Sequence, residues 1–278
     1  KGMYIMRLNW CYVIEKYKNE PIFSFNGLLV KNNNIISFYF FSDNKMVQLS
    51  FNECGQISDN IEYISNEILS IPNLWMYANY KNHNFILLGN KMAFDIVNKE
   101  IIYDIDDELN SIYDVGKGNE YHFENDDFVF HDYVISHKGS SGFVCHYHDK
   151  FAWKISCQGY LYTEMKRYSD LIVFRTTGRG GHFYGVNLKT GNIVIDINTG
   201  GTSKFLFCDN YIYLYLCGKK GRLVKVNESG EIADEILLPG QVYHECPLAL
   251  INDKIYTLSF QSTGEMQVPV PILGCYSK

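Results

Sequence analysis

The stretch 183–197 reads Phe183-Tyr184-Gly185-Val186-Asn187-Leu188-Lys189-Thr190-Gly191-Asn192-Ile193-Val194-Ile195-Asp196-Ile197. Apolar and polar residues alternate on both sides of its centre, which is the pattern of β-strands whose successive side chains point to opposite faces. At the centre stands Lys189-Thr190-Gly191, where glycine supplies the positive φ that a tight turn requires. The stretch therefore predicts an antiparallel β-hairpin.

Similar hairpins recur along the chain at a nearly constant interval. A polar turn rich in Asn and Asp precedes an apolar strand that begins at residues 35, 85, 128, 171, 211 and 255. Successive starts are about 40–50 residues apart, which is the length of one four-stranded propeller blade. The period therefore predicts an all-β protein, a β-propeller of six blades with four antiparallel strands each, and seven blades are the alternative.

The two ends of the chain carry complementary halves of the repeat. Residues 12–23 contain a turn of the hairpin kind without a polar Asn/Asp turn before it. The segment around Asn252 contains the polar turn without a clear hairpin turn after it. We therefore expect both termini to complete one blade, because such closure removes an open sheet edge. Residues 3–278 then form a single domain. Lys1-Gly2 is interpreted as a remnant of cloning ahead of Met3, and a trimmed signal peptide is the alternative.

The Lys189-Thr190-Gly191 hairpin in its strand context resembles the PQQ-like (quinoprotein-type) β-propeller repeat, a relative of the WD40-like superfamily. The resemblance implies the fold. Quinoprotein dehydrogenases would add bound quinone, calcium and usually an adjacent cysteine pair, but no two cysteines are adjacent here. We therefore expect no cofactor, and we do not assign the redox activity of quinoprotein dehydrogenases to this chain. No Trp-Asp dipeptide is present, which argues against a true WD40 protein.

Composition and charge narrow the class of partner. The net charge of −6 argues against a nucleic-acid binder that works by bulk electrostatics. No stretch approaches the ~20 apolar residues that a membrane-spanning helix needs, so we expect no membrane partner. The eight cysteines are scattered without a CxxC motif, which is typical of reduced thiols in the cytoplasm.

A basic, glycine-rich loop is the candidate for a small-ligand site. It reads Arg175-Thr176-Thr177-Gly178-Arg179-Gly180-Gly181-His182. Two guanidinium groups and backbone donors suit a carboxylate or a phosphate. Arg175, Arg179 and His182 are therefore the predicted ligand-binding residues, and a plain hairpin loop is the alternative.

Histidines cluster in one part of the chain, at His122, His131, His137, His146 and His148. On a strand, His146 and His148 would share one face and would suit a metal ion, with His131 or Asp149 as a third ligand. Surface histidines on a polar strand face are the simpler interpretation, so we predict no metal and keep His146 and His148 as weak candidates.

The segment 104–127 is rich in acidic residues, beginning with Asp104, Asp106, Asp107 and Glu108. We expect it to form an exposed loop or irregular strand. Such a negative field steers a basic protein partner towards the protein, whereas a solvated linker is the alternative.

These features predict a non-catalytic interaction module that binds a protein partner through one face. A bacterial toxin-neutralising (immunity) protein is a narrower hypothesis of the same class. The alternative function is a propeller lyase or hydrolase with a histidine-lined, metal-dependent channel site built on His146, His148 and Arg175 or Arg179.

Overall fold

The computed structural model describes residues 5–14, 28–32, 35–42, 45–64, 76–81, 83–89, 91–110, 127–138, 142–161, 165–177, 181–201, 203–243, 246–261 and 270–278. These residues belong to two compact units. Unit 1 comprises residues 1–117 and 245–278, and unit 2 comprises residues 118–244. None of the described helical segments has the length and apolar character that crossing a membrane would need.

Nearly all regular structure in the described residues is β-strand, and the strands are short, as expected for a chain rich in tyrosine and phenylalanine. They are β1 (Arg7–Val13), β2 (Leu28–Asn32), β3 (Ile35–Ser42), β4 (Lys45–Phe51), β5 (Ile57–Ile64), β6 (Met76–Tyr80), β7 (His83–Gly89), β8 (Met92–Asp95), β9 (Glu100–Tyr103), β10 (Asp127–Phe130), β11 (Tyr133–Lys138), β12 (Gly142–Tyr147), β13 (Lys150–Ser156), β14 (Tyr160–Leu161), β15 (Lys166–Tyr168), β16 (Leu171–Thr177), β17 (His182–Asn187), β18 (Ile193–Asn198), β19 (Phe205–Cys208), β20 (Tyr211–Leu216), β21 (Arg222–Val226), β22 (Ile232–Leu237), β23 (Leu248–Ile251), β24 (Lys254–Gln261) and β25 (Val270–Ser277).

Unit 1 contains three antiparallel sheets among its described residues. Sheet 1 is β2-β3-β4-β5, sheet 2 is β6-β7-β8-β9, and sheet 6 is β1-β25-β24-β23. In sheet 6 the first strand of the chain pairs with the last, and Arg7 lies opposite Ser277. Apolar side chains pack sheet 6 against sheet 1 through Ile36 and Tyr256, and sheet 1 against sheet 2 through Tyr39 and Phe94.

Unit 2 contains the other three described sheets. Sheet 3 is β10-β11-β12-β13, sheet 4 is β14-β16-β17-β18 with β15 also on β16, and sheet 5 is β19-β20-β21-β22. Phe143 of sheet 3 packs with Phe174 and Tyr184 of sheet 4. Phe183 on the opposite face of sheet 4 joins a cluster with Leu214 of sheet 5. Each of these neighbouring sheets therefore buries an aromatic face against the next.

The hairpin between the third and fourth strands has the same construction in four of the described sheets. The side chain of an Asn or Asp accepts backbone N–H groups inside the turn, at Asn52, Asp95, Asn187 and Asn227. The register shifts by one residue just before the turn in sheets 1, 4 and 5. Asn and Asp recur at this position because their short polar side chains accept hydrogen bonds from the backbone N–H groups of the turn.

A tryptophan on an outer strand packs against the turn glycine of the following sheet in both units. In unit 2, the indole of Trp153 on β13 lies over Gly191 and donates to the carbonyl of Leu188 at 2.9 Å. In unit 1, the indole of Trp10 on β1 lies over Gly55 and donates to the carbonyl of Glu53 at 3.2 Å. In this contact β1 takes the same position in sheet 6 that β13 takes in sheet 3.

The predicted all-β class and the antiparallel sheets are confirmed. Sheet 4 departs from the four-strand pattern, because β14 and β15 occupy successive stretches of the same edge of β16. The number of blades and their closure into a ring stay predictions.

Candidate ligand and partner sites

His182 forms the shortest described contact between a histidine and a carboxylate. Its Nδ1 lies 2.7 Å from Oδ1 of Asp196, across the β17–β18 hairpin of sheet 4. The imidazole is buried, whereas the Asp196 side chain is 47% exposed. The carboxylate fixes the ring orientation and favours a proton on Nδ1. Nε2 is buried, and none of the residues that the structure describes forms a hydrogen bond with it.

Tyr184 of sheet 4 and the chain that follows sheet 3 lie beside this pair. The ring of Tyr184 stacks on that of His182, and the Tyr184 hydroxyl accepts the backbone N–H of Gln158. Burial, and secondarily the charge of Asp196, raises the pKa of the nearby Cys157 thiol to about 12. The Cys157 thiol is therefore protonated at neutral pH and is a poor nucleophile.

Arg175 does not join His182. It is buried on the opposite face of sheet 4, where its Nη1 donates to the carbonyl of Ser203 at 3.0 Å and its guanidinium lies 6.0 Å from the ring centre of Phe205. The alternation of strand side chains explains this separation, because Arg175 pairs with Phe183, the neighbour of His182. The third predicted ligand residue, Arg179, lies outside the described residues.

Sequence reasoning identified His182 but missed its partner Asp196. The available signal was the hairpin itself, since Asp196 lies directly opposite Tyr184 and Asn198 lies opposite His182. Once that register is known, the strand alternation places the carboxylate and the imidazole on one face.

Of the acidic segment 104–127, residues 104–110 form a short turn, residue 127 begins β10, and residues 111–126 lie outside the described residues. Residues 107–110 are helical, and the Asp106 side chain accepts the backbone N–H of Leu109 at 2.7 Å, as a helix N-cap does. Ile105 and Leu109 are buried in the core of sheet 2 and hold the turn in place. Asp104 precedes the turn with a φ of 57°.

Two lysines that the sequence analysis did not consider face these carboxylates. Lys91 Nζ lies 2.8 Å from Asp107 Oδ1, and Lys81 Nζ lies 3.7 Å from Asp106 Oδ2 and 3.9 Å from Glu108 Oε2. The hydrogen bond from the Leu109 N–H lowers the pKa of Asp106, and the Asp107 carboxylate raises the pKa of Lys91. Asp107 and Glu108 still have 90% and 74% of their side chains exposed. Three of the four carboxylates thus face two lysines, and the turn keeps a negative excess.

The two metal candidates are not on one strand face. His146 is on β12, where its ring meets Phe151 edge-on. β12 ends at Tyr147, and His148 lies in the next turn with a φ of 45°, where its Nε2 is 3.8 Å from Asp132. The strand alternation that the sequence argument assumed therefore stops before His148. Within the described ranges, no three His, Cys, Asp or Glu side chains form a group that could hold a metal ion.

Comparison with known proteins assigns no family to the chain. No family model matches it, and no curated protein matches it. Among solved structures, the chain is similar to BamB from Moraxella catarrhalis, with 9% identity and a TM-score of 0.47 over 99% of this chain and 98% of that one.

Two further structures are similar over most of both chains. A member of the DUF4221 family from Bacteroides vulgatus has 11% identity and a TM-score of 0.43 over 99% of each chain. The computationally designed protein Ika8 has 12% identity and a TM-score of 0.35 over 94% of this chain and 97% of that one. Likeness at this level identifies neither a family nor a function for this chain.

Proposed function

We propose that the chain is a protein-interaction module built as a β-propeller of six blades, closed by its two terminal strands. The six described antiparallel sheets and the pairing of β1 with β25 support this architecture. The repeated contact of an outer-strand tryptophan with the next sheet supports it further, because Trp10 makes on β1 the contact that Trp153 makes on β13.

The observation that carries the binding role is the ordered acidic turn at 104–108. Its carboxylates project from a backbone that is fixed by the buried Ile105 and Leu109. A rigid display lowers the entropy cost of binding, and exposed charge raises the association rate with a partner of opposite charge. The partner that this turn suits is a protein with a basic patch, whose cations would replace Lys81 and Lys91.

Two narrower proposals, one on the role and one on the location of the protein, follow from the binding of a basic partner. A toxin-neutralising (immunity) protein in the bacterial cytoplasm would use such a turn to capture a basic toxin quickly. All eight cysteines are free thiols, which suits a reducing compartment. We propose the cytoplasm as the location on that ground.

The test compares capture of partners from native lysate by two variants with the same change in net charge. The double variant Asp107→Asn/Glu108→Gln removes the exposed carboxylates of the turn and keeps the Asp106 cap. The control, Asp149→Asn/Glu228→Gln, removes two exposed acids elsewhere. We expect basic proteins to be captured by the wild type and the control at low salt, and to be lost from the turn variant and at high salt. Equal capture by both variants would remove the basis of the proposal.

One observation favours the alternative enzymatic function. His182 is oriented by Asp196 in the way that a carboxylate orients a general base, although Nε2 is enclosed. A lyase or hydrolase would lose its turnover in His182→Gln and would keep it in His148→Gln, measured on a panel of ester and uronate substrates. No turnover by the wild type on such a panel argues for the binding module.

A further inference from the structure

The two ends of sheet 5 carry opposite charge. Because its strands run antiparallel, the loop between β20 and β21 and the chain that follows β22 lie at one end, together with the connection that arrives from β18 of sheet 4. These segments, 199–204, 217–221 and 238–243, contain no Asp or Glu. The turns at the other end of the sheet contain three acidic residues, Asp209, Glu228 and Glu231. The first end, which we call the basic end, carries four cations, Lys204, Lys219, Lys220 and Arg222.

Backbone hydrogen bonds join the three segments of the basic end. Gly218 and Val242 each donate to the carbonyl of the other, at 3.0 and 3.2 Å, and the Cys217 N–H donates to the carbonyl of Thr199 at 2.7 Å. A side chain at Gly200 would prevent this approach, since a Cβ there would lie 2.7 Å from the Cys217 carbonyl oxygen. The start of the loop that carries the lysines is therefore anchored on both neighbouring segments.

Lys219 and Lys220 lie on this anchored loop, and both are exposed. Among the residues that the structure describes, neither ammonium group takes part in an ion pair, whereas Arg222 pairs with Glu235 at 3.1 Å. In a chain with a net charge of −6, two adjacent cations without a carboxylate partner create a local positive field. Such a field favours a partner that carries negative charge.

We propose that the basic end of sheet 5 docks an acidic segment of a protein partner through Lys219 and Lys220. The surface lies in unit 2, whereas the acidic turn at 104–108 lies in unit 1, so the inference does not depend on the proposed function.

The chemistry of the basic end favours an acidic protein segment over nucleic acid. A duplex carries one charge per about 1.7 Å along its axis, and its phosphates would continue past the few cations of this end in a chain that is otherwise negative. The loop 217–221 also has no aromatic side chain on which a base could stack. A short run of carboxylates can end where the positive charge ends.

The first test measures the binding of a fluorescently labelled oligoglutamate peptide by fluorescence anisotropy at low salt. We expect Lys219→Ala/Lys220→Ala to weaken binding about three- to tenfold. The control, Lys150→Ala/Lys189→Ala, removes two exposed lysines beside turns of sheets 3 and 4 and changes the net charge equally, so it should bind as the wild type does. Equal binding by the two variants, or no binding by the wild type, would overturn the proposal.

A second measurement separates the two kinds of polyanion. An oligothymidylate with the same number of charges replaces the peptide in the same assay, and we expect it to bind more weakly. Tighter binding of the oligothymidylate, with the same loss in Lys219→Ala/Lys220→Ala, would identify a nucleic-acid surface and contradict the proposal. The variant Asp107→Asn/Glu108→Gln should bind the peptide at least as tightly as the wild type, because it leaves the basic end unchanged.

Discussion

Trp153 and Gly191 come from different sheets, and the indole of the first lies directly on the backbone of the second. A Cβ at Gly191 would be 2.6 Å from Trp153 Cγ, a distance that no real contact tolerates. The same indole donates to Leu188 in the same turn. One side chain therefore provides both a packing contact and a hydrogen bond between sheet 3 and sheet 4.

We predict that Gly191→Ala destabilises the fold by about 2 kcal/mol or more, because the added methyl displaces Trp153 and the φ of 73° strains an L residue. The measurement is the free energy of unfolding in urea. Lys99 provides the control, since it occupies the corresponding turn of sheet 2 with a φ of 58° and already carries a side chain. Lys99→Ala should change stability by less than about 0.5 kcal/mol. An effect of Gly191→Ala as small as that of Lys99→Ala would show that Trp153 does not require glycine at 191.

Trp153→Phe tests the hydrogen bond in the same contact. The phenyl ring keeps much of the apolar area but cannot donate to Leu188, so we expect a loss of about 1–2 kcal/mol in the free energy of unfolding. Trp10→Phe is the matched variant in unit 1. Its bond to Glu53 is longer and more exposed, at 3.2 Å, and it should therefore cost less. A larger loss at Trp10 would contradict this ranking.

Thiol reactivity provides a test of burial that needs no partner. Cys11 and Cys54 are exposed, whereas Cys145, Cys208, Cys246 and Cys275 are buried. We expect a disulfide reagent to modify Cys11 and Cys54 rapidly in the native protein, and the buried four only on unfolding. The variant Cys11→Ser/Cys54→Ser should lack the fast phase. Retention of that phase in the variant would contradict the described burial.

Stability should fall in alkaline solution. Burial raises the pKa of Cys157 from 9 to about 12 and that of Tyr276 from 10 to about 12. The folded chain therefore keeps protons that the unfolded chain releases, so this stability is fully present below pH 9 and is lost as the pH rises towards 12. A pKa that is one higher in the folded than in the unfolded chain contributes about 1.4 kcal/mol to the free energy of unfolding. We therefore expect the free energy of unfolding to fall by several kcal/mol as the pH rises from about 9 to about 12.

The measurement is the urea midpoint at pH 8 and at pH 10.5. Cys157→Ala should weaken the pH dependence, because it removes the thiol whose pKa burial raises. A midpoint that does not change between the two pH values would refute the assignment.

The sequence predicted local features well. The hairpin at Lys189-Thr190-Gly191 and the strands beside it are encoded by alternation and turn chemistry over a few residues, and the structure contains them as β17 and β18. The two terminal strands also pair, but the strand concerned is β1 (Arg7–Val13), and most of the predicted half-repeat 12–23 lies outside the described residues.

Contacts between sheets could not be predicted in the same way. Trp153 meets a turn 38 residues further along the chain, a distance that no short pattern encodes. Arg175 and His182 are seven positions apart around a glycine-rich loop, so the sequence did not reveal that they point to opposite faces. The N-cap role of Asp106 was hidden because the helical residues 107–110 are too few to show a helical period in the sequence.

The pairing of Arg7 with Ser277 also governs the order of events during synthesis. β1 is synthesised well before its partner β25, so sheet 6 stays incomplete until β25 has been made. The pairing of β1 with β25 therefore joins two strands that are distant in the sequence. Joining these neighbouring ends by a short linker and opening the chain elsewhere would convert that slow long-range step into a local hairpin.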